Sequence, residues 1–286
     1  MDELYIVARR VLLDALEALD DHRDAIVVVG AQAIYLRAGD ADLTVAPYTT
    51  DGDLALDPDR LNEVPPLEKA LLAAHFVPVG GDAVGIWVAH HDTPSRLQVP
   101  IQIDLLVPRS VSPGSGRRAA RLRGHEPRAA RIVHGLEGTL VDVDRLTLTS
   151  LEASDPRVLS ARVAGPAGLL VAKLHKIAER AGTFRANDKD ALDVFRLLRG
   201  ATTEELATRM MSLLADPRSS QSTHQGLTLL AELFTGSGEG AEMAVRALVG
   251  FVDAEETRVA CQLLSADLLT ALERRSSSEP YSDRVR

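Results

Sequence analysis

Asp51 and Asp53 stand two apart in the run TTDGDLAL, residues 49 to 56, with Gly52 between them. On an extended strand such positions project from one face, so the two carboxylates lie side by side while the glycine keeps the other face slim. Like charges at that spacing repel. Unless a cation neutralises them, one carboxyl must hold its proton to higher pH, and the natural cation for an all-oxygen site is magnesium, as one ion or a pair. A third carboxylate, Asp104, interrupts the apolar run LQVPIQIDLLV, residues 97 to 107, where Ile101, Ile103 and Leu105 face one way and Gln102 and Asp104 the other. Two carboxylates on one strand and a third on a neighbour form the donor set that two-metal phosphoryl transfer requires.

A second group of charges lies later in the chain. Lys173, Lys176 and Arg180 fall at i, i+3 and i+7 beside an apolar stripe of Leu170, Leu174 and Ile177, and Asp190 and Asp193 share a face at i, i+3. Only four residues of the chain are lysine (Lys69, Lys173, Lys176 and Lys189), against a long roll of arginines. Either this is compositional habit, or a compact ammonium is needed where a planar guanidinium would not fit, as at a tight phosphate site. The bland alternative for the whole stripe is a solvated face with an acidic helix start and ion pairs between helices.

These side chains need elements to hold them. Residues 3 to 20 carry Leu4, Val7, Ala8, Val11, Leu12, Ala15 and Leu19 at helical spacing. Ala25 to Val29 is a short β-branched apolar run, as expected of a strand buried on both faces, and it ends at Gly30 before a helical pattern through Ile34 and Leu36. A helix N-terminus there can receive phosphate oxygens on its free N–H groups. A loop with Gly39, Pro47 and Tyr48 leads to the D-x-D strand, and a helix follows Pro65 and Pro66. Gly80-Gly81-Asp82 marks a turn between short strands at 76 to 79 and 84 to 89, and Pro113 to Gly116 opens an irregular arginine-rich segment. From about residue 166 the chain reads as helical: Gly165-Pro166 starts one helix, Asp188 caps the next, Thr202 with Glu205 forms a capping box, and further helices cover 222 to 234, 239 to 252 and 255 to 273. Helices and strands mix without regular βαβ alternation, which predicts an α+β mixed sheet with flanking helices, followed by a helical C-terminal region. The expected division is 1–150 for the sheet domain, 151–274 for the helical one and 275–286 for a disordered tail.

The series VVVGAQAIYLRAG (27 to 39), TTDGDLAL (49 to 56), IQIDLL (101 to 106), LLVAKLHKIAER (169 to 180) and NDKDALDVFRLL (187 to 198) resembles the nucleotidyltransferase-fold toxins of the AbiEii and MenT type, over roughly residues 25 to 200. The resemblance implies a nucleotidyltransferase-like fold and a magnesium-dependent enzyme that moves a nucleoside monophosphate from a nucleoside triphosphate to an acceptor, the 3′ end of tRNA. The resemblance further implies the role of toxin in a type IV-like bacterial toxin–antitoxin pair, restrained by a cognate antitoxin protein. Carried over residue by residue, it implies magnesium on Asp51, Asp53 and Asp104, triphosphate on Lys173, and Asp193 as the essential acid of the later helix. The nucleotide's surroundings would be Gly30, Ala31, Thr49, Thr50, Lys176 and Asp190. Ala31 departs from the family's Gly or Ser and removes a hydroxyl contact. A degenerate binding protein of the same fold, or a nucleotidyltransferase acting on a small molecule or a protein hydroxyl, are the alternatives.

The rest of the sequence bounds these readings. The chain has 286 residues and a formal charge of −9, and that acidity sits uneasily with a polyanionic acceptor. Six arginines in RRAARLRGHEPRAAR, residues 117 to 131, either run along an RNA backbone or form a solvated surface. His90-His91-Asp92 has ligand-type residues but reads as a turn, and Gly236 to Gly240 follows a helix and reads as a connector. The single Cys261 excludes a disulfide framework and reads as core. No apolar run approaches the ~18 to 20 residues of a membrane span, and the start MDELYIVARR has no leader pattern, so the expectation is a cytoplasmic protein without a membrane partner.

Overall fold

The computed structural model describes residues 3–37, 50–93, 95, 97–113, 118–184 and 186–278. The elements are α1 (Glu3–Ala18), β1 (Ile26–Val29), α2 (Gly30–Arg37), β2 (Gly52–Leu56), α3 (Leu67–Ala73), β3 (Val77–Pro78), β4 (Ile86–Asp92), β5 (Gln98–Pro108), β6 (Arg131–Val133), β7 (Val143–Thr149) and β8 (Val158–Ala164). Six helices follow: α4 (Pro166–Arg180), α5 (Asp188–Gly200), α6 (Thr203–Ala215), α7 (Ser220–Phe234), α8 (Glu239–Ala247) and α9 (Ala254–Ser278).

One sheet runs β3-β4-β5-β2-β1-β8-β7, with β6 added beside β5. Its pairings are mixed: β1 is antiparallel to β2 and parallel to β8, while β2 runs parallel to β5. The all-apolar β1 lies between two strands and is buried at every position, as its continuous Ile-Val-Val-Val run requires. Strand β5 has two neighbours on one side. It pairs antiparallel with β4 as far as Asp104 opposite Ile86, then parallel with β6 from Leu106 opposite Arg131. Helix α1 packs across β2, β4 and β5, α2 against β1 and β2, and the C-terminal helices pack on one another. One apolar core joins them, from Tyr5 and Leu12 to Cys261 and Leu272. The α+β mixed sheet expected from sequence is the observed architecture.

Several boundaries differ from the sequence reading. The hairpin β7–β8 extends the sheet to Ala164, past the boundary expected at residue 150. The cap of α5 is Asn187, whose side chain accepts from the Lys189 N–H at 3.0 Å, while Asp188 pairs with Arg246 at 2.9 Å. Thr202 does cap α6, accepting from the Glu205 N–H at 3.1 Å. The helix expected over 239 to 252 ends at Ala247. Helix α9 runs on to Ser278, taking in the first residues of the supposed tail. His90, His91 and Asp92 end strand β4 instead of forming a turn, and His91 Nε2 lies 3.3 Å from Asp14. Cys261 is buried in α9, where loss of solvent pushes its thiol up to about 12. The loop with Gly39, Pro47 and Tyr48, the turn residues Gly114 to Gly116, and residues 279–286 lie outside the described residues.

Candidate active site

The register brings the carboxylates together. Val29 is paired with Asp53 across β1 and β2, and Asp53 with Asp104 across β2 and β5. Neighbouring strands lie about 4.8 Å apart, so the side chains of directly paired residues emerge on one face of the sheet as immediate neighbours. Asp51 precedes β2 by one residue and accepts from the Thr50 hydroxyl at 3.4 Å. Thr49 lies outside the described residues.

Gly30, the first residue of α2, has φ +68°, and a Cβ there would fall 2.0 Å from Asp53 Oδ2. Both facts demand glycine: the left-handed backbone disfavours a side chain, and the carboxylate fills the space one would need. The start of α2 is thereby pressed against Asp53. Ala31 follows, half-buried, and supplies only a methyl group. Next to it, Gln32 is buried with both ends of its amide lacking a hydrogen bond among the described residues. The sequence carried no signal for it beyond one polar residue in an apolar stretch.

The electrostatics of the strand carboxylates are those of crowded like charges. Asp104 is pushed up to about 6, first by burial and next by Asp53, against the opposing pull of Arg131. Asp51 is raised by partial loss of water around its carboxyl and then by Asp53, with Thr50, Lys176 and Lys189 pulling the other way. Asp104 Oδ2 accepts from Arg131 Nη2, and its other oxygen, Oδ1, is buried with no partner among the described residues. Arg131 belongs to the arginine-rich segment and was not singled out from sequence. The short pairing of β6 with β5 makes it a neighbour of the carboxylates, and no pattern in the sequence encodes that pairing.

The later charges form a cluster of their own between α4 and α5. Lys173 Nζ donates to Asp190 Oδ1 at 2.9 Å and lies 2.6 Å from Asp193 Oδ2, and all three residues are 5% exposed or less. Arg196 Nη1 lies 3.2 Å from Asp193, Lys176 Nζ 3.1 Å from Asp190 and Arg180 Nη1 3.2 Å from Asp190. Burial alone would lower Lys173, but Asp193 and Asp190 override it and hold the ammonium charged. Asp190, which burial alone would raise, is instead drawn below the ordinary carboxylate range by Lys173 and Lys176. Tyr35 of α2 joins the cluster, its ring under the Arg196 guanidinium at 5.4 Å and its hydroxyl pushed up to about 12, by burial first and Asp193 second. The interhelical ion pairs expected as the bland reading are therefore present. Lys173 is spent on two aspartates, and Lys176, whose side chain is 37% exposed, is the lysine of α4 whose charge reaches both Asp51 and Asp53.

Among the described residues no three histidine, cysteine or carboxylate side chains already converge on one ion position. The donors nonetheless fit a hard divalent cation. All are carboxylate oxygens, one buried oxygen is without a partner, and the crowding that raises Asp51 and Asp104 is what such a cation relieves. Asp51 and Asp53, two apart at the head of β2, would be its holders.

The arginine-rich segment leads to this face. Ala119 bridges to Arg131, and the Ile132 N–H donates to Arg118 O at 2.7 Å. Arg123 pairs with Glu63 at 2.9 Å, and Arg128 donates to Ala83 O at 2.7 Å and to Gly81 O, so part of the segment is tied to neighbouring loops. Arg117 lies outside the described residues. Gly236 to Gly238 connects α7 to α8, and Gly240 already lies in the first turn of α8, far in the chain from the carboxylates. Among the described residues no helix is long and apolar enough to cross a membrane.

No family model matches the sequence, and no curated protein does. Among solved structures, an antigenic nucleotidyltransferase-like protein from Paracoccidioides brasiliensis is similar at 16% identity and a TM-score of 0.40, over 79% of this chain and 94% of its own.

Proposed function

We propose that the protein is a magnesium-dependent nucleotidyltransferase that moves a nucleoside monophosphate from a nucleoside triphosphate to an acceptor hydroxyl. The observation that supports it is the placing of Asp53 directly opposite Asp104, with Asp51 two residues before, beside a helix that must begin with glycine. Magnesium bound there would neutralise triphosphate oxygens and charge developing during transfer. Asp51 and Asp53 would hold the ion. Asp104 lies beside them and takes the proton of the acceptor hydroxyl, and its raised proton affinity suits that work near neutral pH. Gly30 lets the backbone of α2 approach the phosphates. Lys176 and Lys189, the cations that act on Asp51, meet the triphosphate, with Thr50 beside them. Lys173, with Asp190 and Asp193, sets the position of α4 and so of Lys176.

The resemblance of the motifs alone supports the finer reading: transfer to the 3′ end of tRNA, as the toxin of a bacterial toxin–antitoxin pair with a protein antitoxin. A second reading, a nucleotide-binding protein that does not turn over, is favoured by Ala31 and by the commitment of Lys173 to two aspartates. The discriminating experiment incubates wild type and the D51A/D53A double variant with magnesium, each of the four α-labelled nucleotides, and total bacterial RNA with soluble protein. Labelled tRNA with wild type alone is the expected result. Label on protein alone would move the acceptor to a protein hydroxyl. No label, with magnesium–nucleotide binding retained, would favour the second reading, and equal labelling by the double variant would overturn the site.

A further inference from the structure

We propose that Phe184 is the stacking surface for the base of the nucleoside triphosphate, so that the loop between α4 and α5 holds the base while the turns on either side of it hold the phosphates. The inference rests on the nucleotide-binding reading above and adds where the base lies. A lone exposed apolar side chain is ordinary on a protein surface. Phe184 is an extreme case: of the five phenylalanines, Phe76, Phe195 and Phe234 are buried, Phe251 is 61% exposed and Phe184 is 99% exposed. Both faces of its ring are open to water. Its place in the backbone is nonetheless fixed. The Thr183 N–H donates to Arg180 O at 3.1 Å and the Thr183 hydroxyl to the same oxygen at 2.7 Å, while the Ala186 N–H donates to Thr183 O at 3.1 Å. Phe184 is therefore the second residue of a hydrogen-bonded turn. Just before it, Gly182 has φ +67° and open space where a Cβ would stand, so the loop is clear of the rest of the chain. A ring already held in place loses little freedom when a ligand stacks on it.

The surroundings determine what such a ring meets. Helix α4 ends at Arg180 and α5 begins at Asp188, so the loop joins the two helices of the Lys173 cluster. Lys176 lies about 6 Å before the end of α4, at 1.5 Å of rise per residue, and Lys189 is exposed on the first turn of α5. These two cations flank the loop, and they are the ones that act on Asp51, Lys176 acting on Asp53 as well. Lys173, one turn deeper in α4, is enclosed by Asp190 and Asp193. The end of the helix pair that faces the strand carboxylates is thus the end that carries the loop. A nucleoside triphosphate has one polyanionic end and one flat, largely apolar end. With its phosphates between magnesium and the two lysines, its base needs an apolar surface nearby, and among the described residues from Lys176 to Lys189 the one large exposed apolar side chain is Phe184. A phenyl ring has no hydrogen-bonding group, so it holds any of the four bases by their π-faces without choosing among them.

The test measures affinity, with magnesium present, for ATP, GTP, CTP and UTP and for inorganic tripolyphosphate, which offers phosphates and no base. Wild type, F184A and F184W are compared, and all three should melt alike because the side chain lies in water. Expected in F184A is a loss of about tenfold for the nucleoside triphosphates with tripolyphosphate unchanged, and in F184W full retention of both. F184W supplies a second readout. The chain's one tryptophan, Trp87, is buried and donates to Ala129 O at 3.0 Å, so the emission of the added, exposed indole is distinct from it and should be quenched by the nucleoside triphosphates but not by tripolyphosphate. Equal affinities of wild type and F184A for all four nucleotides would overturn the proposal, even if labelling of RNA fell, because the ring would then serve the acceptor. A parallel loss of tripolyphosphate in F184A would overturn it too, since that probe has nothing to stack. Wild type binding neither a nucleoside triphosphate nor tripolyphosphate would sink the nucleotide reading and this inference with it.

Discussion

Asp190 and Asp193 on α5 are met by Lys173, Lys176, Arg180 and Arg196 within 2.6 to 3.2 Å, whereas Asp51, Asp53 and Asp104 at the strand ends crowd one another beside Arg131. Asp190 and Asp193 are buried, Asp53 and Asp104 partly so and Asp51 is exposed, yet it is Asp190 that is drawn below its ordinary range while Asp51 and Asp104 are raised. The helical cluster is electrostatically finished and behaves as architecture, joining α2, α4 and α5. In the strand cluster Asp51 and Asp104 stay raised although Arg131, Lys176 and Lys189 act on them, a crowding that the proposed cation would relieve.

The sharpest way to break this contrast is to remove the cation at the centre of the finished cluster. Lys173→Met removes the one cation shared by Asp190 and Asp193, leaving them to partners on their outer sides, and should cost about 3 to 5 kcal/mol of stability by chemical denaturation. A loss below about 1 kcal/mol would mean that Arg196, Lys176 and Arg180 suffice and that the lysine has another purpose. Next in size is the opposite experiment on the strands. The D51A/D53A variant should melt no lower than wild type without divalent ions, because repulsion has been removed, yet lose label transfer by about a hundredfold or more. A large drop in melting temperature would show these carboxylates to be structural.

The two clusters should also titrate in opposite senses. The folded-state value of Asp104, about 6, lies above its ordinary 3.8, so the stability it contributes is complete below about pH 4 and is lost as pH rises through about 6. Asp190 is lowered, so its contribution is present above its ordinary 3.8 and is lost as pH falls through its folded value. In chemical denaturation without divalent ions, D104N should remove the decline between about pH 4 and 6, and magnesium added to wild type near pH 7 should offset it. An unchanged pH profile in D104N would assign the crowding to another group. The smallest effect is expected at the α5 cap, where Asn187→Ala should cost about 1 kcal/mol and leave Mn2+ binding unchanged.

What could be read from sequence divides along similar lines. Asp51, Asp53 and Asp104 were legible because a carboxylate in a β-branched or apolar run breaks a local pattern, and the strand–Gly30–helix unit because its signals are contiguous. The hairpin β7–β8 was missed. VDRLTLT and VLSARVA do alternate, but the exposed Val158 blurs the pattern among outward Arg, Thr and Ser, and they follow a stretch rich in arginine, glycine and proline. Asp142 shows the other limit. Its carboxylate accepts from the Ala167 and Gly168 N–H groups at 2.9 and 3.0 Å, capping α4 from 25 residues away, and Arg209 holds it at 2.7 Å. Contacts made only by folding, such as this cap and the Arg131 bond, leave no periodicity to find. Lys173 was found for its rarity, and its burial between two aspartates was visible only as one of two alternatives.

The glycine at the head of α2 also bears on how the protein tolerates change. With Asp53 Oδ2 at 2.0 Å from the place of a Cβ and φ at +68°, every substitution at position 30, alanine included, strains the backbone and displaces the Asp53 carboxylate. That strain is present whether or not the chain still turns over a nucleotide, since it comes from backbone and carboxylate alone. A saturation library scored for abundance should therefore be depleted at Gly30 and permissive at Asp51, and the same library scored for activity should be depleted at both. The difference between the two scores at one residue would separate a living catalyst from its preserved frame.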